Sequence, residues 1–108
     1  MTLQDESRYT AAFTIPREHP ALPGHFPGRP VVPGVLILDE VRRVTERWLG
    51  RDTAIRRLPQ GKFVAPMLPG ETATIELSRT GSTLSFSVTR NQVILAKGTF
   101  ELGTVTAS

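Results

Sequence analysis

The sequence predicts an α+β domain in which one central helix lies across a curved antiparallel sheet. Three observations support this fold class. A single strand pattern precedes one stretch of strong helical periodicity, and the chain after that stretch alternates polar and apolar residues with a period of two. The 108 residues are enough for one hydrophobic core, and no internal repeat or low-complexity segment divides them. We therefore expect residues 1–108 to form one domain.

The first strand is predicted over residues 8–15, where apolar and polar side chains alternate, and Pro16 ends it. A connector rich in proline and glycine follows this strand. The two ends of the chain, residues 1–7 and 103–108, lack a hydrophobic pattern, and we expect both to be flexible.

The central helix is predicted from about Gly34 to Leu49, because apolar residues recur there at intervals of three and four. Pro33 suits a helix start, where the missing N–H costs nothing, and Gly50 stands where a left-handed residue would end the helix. Residues 35–38 are all apolar. This turn must be covered on every side, either by a wrapped sheet or by a subunit interface.

The second half of the chain predicts a strand meander. Residues 55–64 form a strand candidate that Pro59 and Gly61 mark as bulged or as a sheet edge, and a proline-rich loop follows it. Three aromatic strand residues read as core, namely Phe63, Phe86 and Phe100. Three further strands, separated by turns at residues 80–83 and 91–92, are predicted at residues 71–79, 84–90 and 93–102.

The composition excludes several kinds of site. There is no cysteine, so disulfides and thiolate chemistry are ruled out, and two histidines make a multi-histidine zinc site improbable. We expect neither a metal nor another cofactor. The N-terminus has no signal-peptide pattern and no apolar run has membrane-spanning length, so a cytoplasmic location without a membrane span is expected.

The net charge of +3 is unevenly distributed, because seven basic residues lie between Arg42 and Lys62. One interpretation is a solvated helix face supported by Glu46. The other is a docking patch for an acidic partner, formed by Arg42, Arg43 and Arg47. A nucleic-acid partner is not indicated, since no series of exposed aromatic residues accompanies the charge.

The most informative stretch is His-Phe-Pro-Gly-Arg-Pro-Val-Val-Pro-Gly-Val-Leu over residues 25–36, with Asp39 following it. It resembles the signature of the β-hydroxyacyl-[acyl carrier protein] dehydratases. A second stretch, from Lys62-Phe63 through Pro66 to Gly70-Glu71, is similar to another motif of that family. Together the two motifs place landmarks across most of the chain.

The resemblance implies the hot-dog fold, in which a curled sheet wraps a long helix. It implies dehydration of an (R)-3-hydroxyacyl thioester carried on the phosphopantetheine of an acyl carrier protein, in fatty-acid or polyene biosynthesis. It also implies a dimer, formed by two copies or by one copy and a homologue. The short length and the lack of a C-terminal helix favour the small dehydratases associated with aryl polyene pathways.

The chemistry assigns a role to each motif residue. Removal of the α-proton needs a base with a near-neutral pKa, and His25 supplies one. Expulsion of hydroxide needs a proton donor, and Asp39 is the candidate acid. Backbone N–H groups at a helix start can stabilise the thioester oxyanion, and we assign this role to Gly34 with Val35.

The sequence also departs from the common pattern. From the acid onward it reads Asp-Glu-Val-Arg-Arg over residues 39–43, where common fatty-acid dehydratases carry Glu-Ala-x-Ala-Gln. Glu40 reads as a helix-surface residue, and His19 is given no role. Two other functions stay open at this point, an acyl thioesterase of the same fold and a catalytically silent subunit that pairs with an active homologue.

Overall fold

The structure is a computed structural model that describes residues 6–19, 31–50, 54–55 and 60–103. Along the chain, the elements are β1 (Glu6–Thr14), α1 (Gly34–Leu49), β2 (Ala54–Ile55), β3 (Gln60–Phe63), β4 (Thr72–Thr80), β5 (Thr83–Arg90) and β6 (Val93–Gly103). The strands form one antiparallel sheet in the order β1-β4-β5-β6-β2, and β3 also pairs with β6. The predicted α+β architecture is confirmed.

The outer strands reach further than their side-chain pattern predicts. β1 begins at Glu6, and the backbones of Glu6 and Ser7, expected to be flexible, pair with Thr80 and Arg79 of β4. At the other end, β6 continues to Gly103, which pairs with β2. Ladder hydrogen bonds use only backbone groups, so a long neighbouring strand extends pairing beyond the amphipathic segment.

Helix α1 lies against the sheet through one apolar face. Ile37, Val41 and Val44 are buried there, facing core residues of the sheet that include Ile75 and Leu77. Thr45 is also fully buried, and its Oγ1 donates to the carbonyl oxygen of Val41 at 2.8 Å. That bond satisfies the one polar side chain on the buried helix face, as burial requires.

In the described part of the chain, no helix is long and apolar enough to cross a membrane.

The helix ends where the sequence predicts, with a different conformation. Gly50 has φ 104° and ψ 154°, an extended conformation of positive φ that favours glycine, rather than the left-handed helical one. Its N–H donates to the carbonyl oxygen of Glu46 at 2.7 Å and closes the last turn. Nearby, the rings of Trp48 and Tyr9 stack with centroids 5.5 Å apart, which ties the last turns of α1 to β1.

The hairpin between β5 and β6 carries two irregular features. Asn91 and Gln92 both have positive φ, 51° and 69°, as the favoured two-residue hairpin turn requires. Beyond the turn, the register shifts so that Leu95 has no residue opposite it on β5. This bulge leaves Leu95 and the next residue, Ala96, both buried.

The strand predicted over residues 55–64 is two strands, β2 and β3, and residues 56–59 lie outside the described residues. Gly61 of β3 lets Phe86 approach closely, since a Cβ there would lie 2.9 Å from the Phe86 ring. Phe86 and Phe100 are buried as predicted, but the core assignment of Phe63 is wrong. Phe63 ends the short strand β3 and is 46% exposed.

Candidate active site

An apolar groove of about 460 Å³ opens at the start of α1. One wall is the segment that leads into the helix, and the other is the loop after β3. Residues of both walls contribute mostly apolar side chains, among them Val32, Ile37, Phe63, Ala65 and Met67. Met67 lines the groove and is almost fully buried.

Backbone hydrogen bonds fix the two walls relative to each other. The N–H of Val32 donates to the carbonyl oxygen of Met67 at 2.8 Å, directly across the groove. On the loop side, the N–H groups of Val64 and Ala65 both donate to the carbonyl oxygen of Leu95, at 2.8 and 3.3 Å. The β-bulge at Leu95 therefore anchors the loop that forms this wall.

Gly34 is the first helical residue and lines the groove. A Cβ at this position would lie 2.7 Å from Cζ of Phe63, so the ring rests on the helix start only because residue 34 has no side chain. The first N–H groups of a helix have no carbonyl partner within it. Gly34 thus occupies a position suited to the predicted oxyanion role, while the neighbouring Val35 side chain is 70% exposed.

Glu71 holds the far end of the same loop. Its Oε1 accepts the N–H of Leu68 at 2.8 Å and Nη1 of Arg90 at 2.8 Å. The same Arg90 nitrogen donates to the carbonyl oxygen of Pro66 at 3.0 Å. The hydrogen bond from Leu68, and then the one from Arg90, lower the pKa of Glu71 below its ordinary value.

We expect Glu71→Gln to lower the free energy of unfolding at neutral pH by no more than about 1 kcal/mol, because the ion pair is partly open to solvent. A carboxylate whose folded-state pKa is lowered stabilises the fold above its unfolded-state pKa. That contribution disappears as the pH falls through the folded-state pKa. Urea unfolding curves should therefore separate the variant from the parent at neutral pH and converge in acid.

The control for this prediction is Glu76→Gln, because Glu76 is exposed on β4 and has no ion pair among the residues that the structure describes. We expect it to leave the free energy of unfolding nearly unchanged at both pH values. A Glu71→Gln deficit that persisted in acid would show that the carboxylate charge is not its cause.

Asp39, the candidate acid, is held by two arginines of its own helix. Its Oδ1 accepts Nη2 of Arg42 at 2.7 Å and Nε of Arg42 at 3.2 Å. Its Oδ2 lies 3.1 Å from Nε of Arg43. The Asp39 side chain is 35% exposed. Two guanidinium groups thus contact the carboxylate of Asp39.

The same contacts bear on the predicted docking patch. Arg42 also donates to Oε2 of Glu46 at 3.0 Å, and these hydrogen bonds raise the pKa of Arg42, the one to Asp39 most. Arg43 lies 3.5 Å from Oε2 of Glu40. Arg47 is exposed, with no ion pair in the described residues. Docking on this face stays a prediction. The basic residues Arg51, Arg56 and Arg57 lie outside the described residues.

The groove and the acid occupy different faces of α1. Asp39 comes five residues after Gly34, which rotates it by about 140° around the helix axis. It is not among the residues that line the groove. His25, the candidate base, lies outside the described residues. The structure therefore brings Gly34 together with Phe63 and Met67, and it places Asp39 apart from them.

The sequence contained a signal for the ion pairs of Asp39, which our interpretation missed. Asp39, Arg42, Arg43 and Glu46 are spaced by three and four residues, the spacing at which opposite charges pair on a helix. The exposed ring of Phe63 and the bulge at Leu95 had no comparable signal. Both depend on which strand is paired and where its register shifts.

A model of the ApeI-like family, described as ApeI dehydratase, matches residues 2–99. Two curated relatives are 3-hydroxyacyl-[acyl-carrier-protein] dehydratases named FabZ. The one from Herpetosiphon aurantiacus is 29% identical over 85 residues, which cover 72% of this chain and 60% of the relative. The one from Thermus thermophilus is 35% identical over 83 residues, covering 67% of this chain and 56% of the relative. The matches thus span little more than half the length of these relatives.

Solved structures share the fold. The dehydratase heterocomplex ApeI:P from Xenorhabdus doucetiae has a TM-score of 0.78 at 22% identity, covering 90% of this chain and 88% of that one. An uncharacterised protein from Erwinia carotovora also scores 0.78, at 24% identity and 97% and 90% coverage. A mutant of the fluoroacetyl-CoA-specific thioesterase FlK scores 0.69 at 18% identity, with 95% and 88% coverage. These likenesses establish the hot-dog fold, which dehydratases and a thioesterase share.

Proposed function

The chain belongs to the ApeI-like dehydratase family, and we propose that it removes water from an (R)-3-hydroxyacyl thioester to give a trans-2-enoyl thioester. The substrate is carried by the phosphopantetheine arm of an acyl carrier protein. The observation that carries this proposal is the apolar groove at the start of α1, which has the backbone of Gly34 in its wall. An extended acyl chain and a thioester carbonyl both find suitable surroundings there.

The reaction divides between two side chains and two backbone N–H groups. His25 takes the α-proton as the C2–H bond breaks, and the electron pair forms the C2–C3 double bond. Asp39 donates a proton to the 3-hydroxyl as the C3–O bond breaks, so that water leaves. The N–H of Gly34, with that of Val35, stabilises the negative charge that develops on the thioester oxygen. A proton returned from His25 to Asp39 restores both groups.

We propose that two subunits share each site, and three observations support this. Val35 is 70% exposed, although the first turn of α1 is apolar on all sides. Strand β3 pairs only with β6 among the described residues, so its other edge is open to a partner. Gly34 and Asp39 lie on different faces of α1. A second hot-dog subunit, identical or homologous, would cover the apolar surface and bring His25 of one chain to Asp39 of the other.

The carrier protein is proposed to dock on the basic face of α1. Charge reversal at Arg43 and Arg47 should raise the KM for a carrier-bound substrate far more than the KM for a small thioester analogue, because unlike charges mainly speed the encounter of two proteins. Steady-state kinetics with both substrates at two salt concentrations measure this, since salt screens exposed charges. Equal effects on the two substrates would contradict docking at this face.

The test of the proposed function is incubation of the purified chain with 3-hydroxyacyl-carrier-protein thioesters of different chain lengths, followed by mass analysis. Loss of one water molecule from the acyl group supports the proposal. Release of the free acid would indicate a thioesterase instead. Turnover that appears only after a homologous subunit is added would indicate a silent partner in a heterodimer.

A further inference from the structure

Arg42 connects two carboxylates on one face of α1. It lies one turn after Asp39 and one turn before Glu46, and its guanidinium group donates to both. Nε and Nη2 bond the same oxygen of Asp39, while Nη1 on the other side of the fork bonds Glu46. The arginine therefore has its donors divided between the candidate acid and a second, non-catalytic acid.

We propose that Arg42 is a positioning residue for Asp39 in the dehydration reaction, a role that rests on the proposed function. Arg42 was predicted to contact the carrier protein. Its contacts favour a role inside the subunit instead, because the three nitrogens of its guanidinium group already bond two carboxylates, those of Asp39 and Glu46. The proposal assigns Arg42 to catalysis and leaves docking to more exposed arginines.

The geometry explains how Arg42 would act. The bond to Glu46 fixes the plane of the guanidinium group, and the two bonds to Oδ1 then fix the rotation of the Asp39 carboxyl group. When Asp39 gives its proton to the departing hydroxyl, it becomes a carboxylate. A charge-assisted bond that is already in place stabilises this new charge without reorganisation. Oδ2 makes no contact with Arg42 and lies 3.1 Å from Nε of Arg43.

Arg43 touches the same carboxyl group but is less suited to hold it. Its side chain is 60% exposed, compared with 32% for Arg42. It makes one contact with Asp39, at 3.1 Å, and lies 3.5 Å from Glu40 as well. Exposed single contacts contribute little because solvent screens them and the side chain must lose rotational freedom. The two arginines therefore form a matched pair for a test.

The test compares Arg42→Gln with Arg43→Gln on a small 3-hydroxyacyl thioester, which excludes effects on carrier docking. Arg42→Gln should lower kcat by about 10–100-fold, the loss expected for hydrogen bonds to a charged group, with little change in KM. Arg43→Gln should lower kcat by less than about threefold. Arg42→Lys should recover part of the loss, since lysine keeps the charge but not the planar fork. Arg79→Gln, on β4, controls for loss of an arginine elsewhere.

A double-mutant cycle separates positioning from stability. In an Asp39→Asn background, Arg42→Gln should cost less than about a further twofold, because the carboxylate that it positions is gone. Equal losses in both backgrounds, or equal losses for Arg42→Gln and Arg43→Gln, would overturn the proposal.

A spectroscopic measurement distinguishes failure of the positioning role from failure of the proposed function. In NMR spectra, the Nε–H of Arg42 should exchange faster with water in Asp39→Asn than in the parent. An unchanged exchange rate overturns the proposal at its structural basis. A parent chain that shows this pairing but dehydrates no thioester overturns the proposed function, and the catalytic role of Arg42 with it.

Discussion

Replacing His25 by alanine or Asp39 by asparagine should each lower the rate of dehydration by about 10²–10⁴-fold or more, the contribution typical of general acid–base catalysis. The reaction removes a weakly acidic proton and expels hydroxide, so neither step proceeds well without its proton-transfer group. Single-turnover assays with a 3-hydroxyacyl thioester at high enzyme concentration would measure the residual rates. The Asp39→Asn variant should keep the fold, because Asp39 makes only partly exposed contacts on α1.

The chain offers a control for each variant. His19→Ala removes the other histidine, whose backbone N–H donates to the carbonyl oxygen of Pro16 at 3.0 Å. Glu40→Gln removes the carboxylate next to Asp39, which lies beside Arg43. Both should retain most of the parental rate. A folded His25→Ala protein with a near-normal rate would overturn the assignment of His25 as the base.

Mixing inactive His25→Ala with inactive Asp39→Asn should restore activity under conditions that exchange subunits. If each site takes His25 from one chain and Asp39 from the other, a mixed dimer contains one site with both groups and one with neither. With random exchange, half of the dimers are mixed, so about one quarter of the parental activity should return. Native mass spectrometry would measure the mixed fraction, and the rate per mixed dimer would follow.

The alternative gives a different result in the same experiment. If each site is built within one chain, every site in the mixture lacks one group, and no activity returns although subunits exchange. That result would contradict the shared site. It would leave unexplained why Asp39 lies about 140° around α1 from Gly34, the residue at the groove.

The elements with strong local signals could be predicted from the sequence. The bounds of α1 followed from its periodicity together with Pro33 and Gly50, and both hairpin turns from the breaks in a period of two. The ends of β1 and β6 could not, because their backbones pair with neighbouring strands where no side-chain pattern demands it. Local sequence shows which face of a strand is apolar, but not how far its partner extends.

The candidate site likewise contains residues that could be predicted from the sequence and residues that could not. Gly34 was predicted from its place at a helix start, and the groove lies there. Phe63 was assigned to the core because it is aromatic and lies in a strand, but its exposure depends on β3 being short and at an edge. The ion pairs of Asp39 could have been read from helical spacing. Charge runs along a helix fit both a solvated, internally paired face and a surface for a partner, so the sequence alone leaves both interpretations of these arginines open.

The stack between Trp48 and Tyr9 has a practical consequence. The chain contains one tryptophan and one tyrosine, so its ultraviolet emission arises at the single place where α1 meets β1. Emission from Trp48 therefore reports whether the helix is seated on the sheet, and the rings lie away from the groove and from Asp39. A change in tryptophan emission on adding a small acyl thioester, which binds at the groove, would show that binding is transmitted along α1 to its C-terminal end.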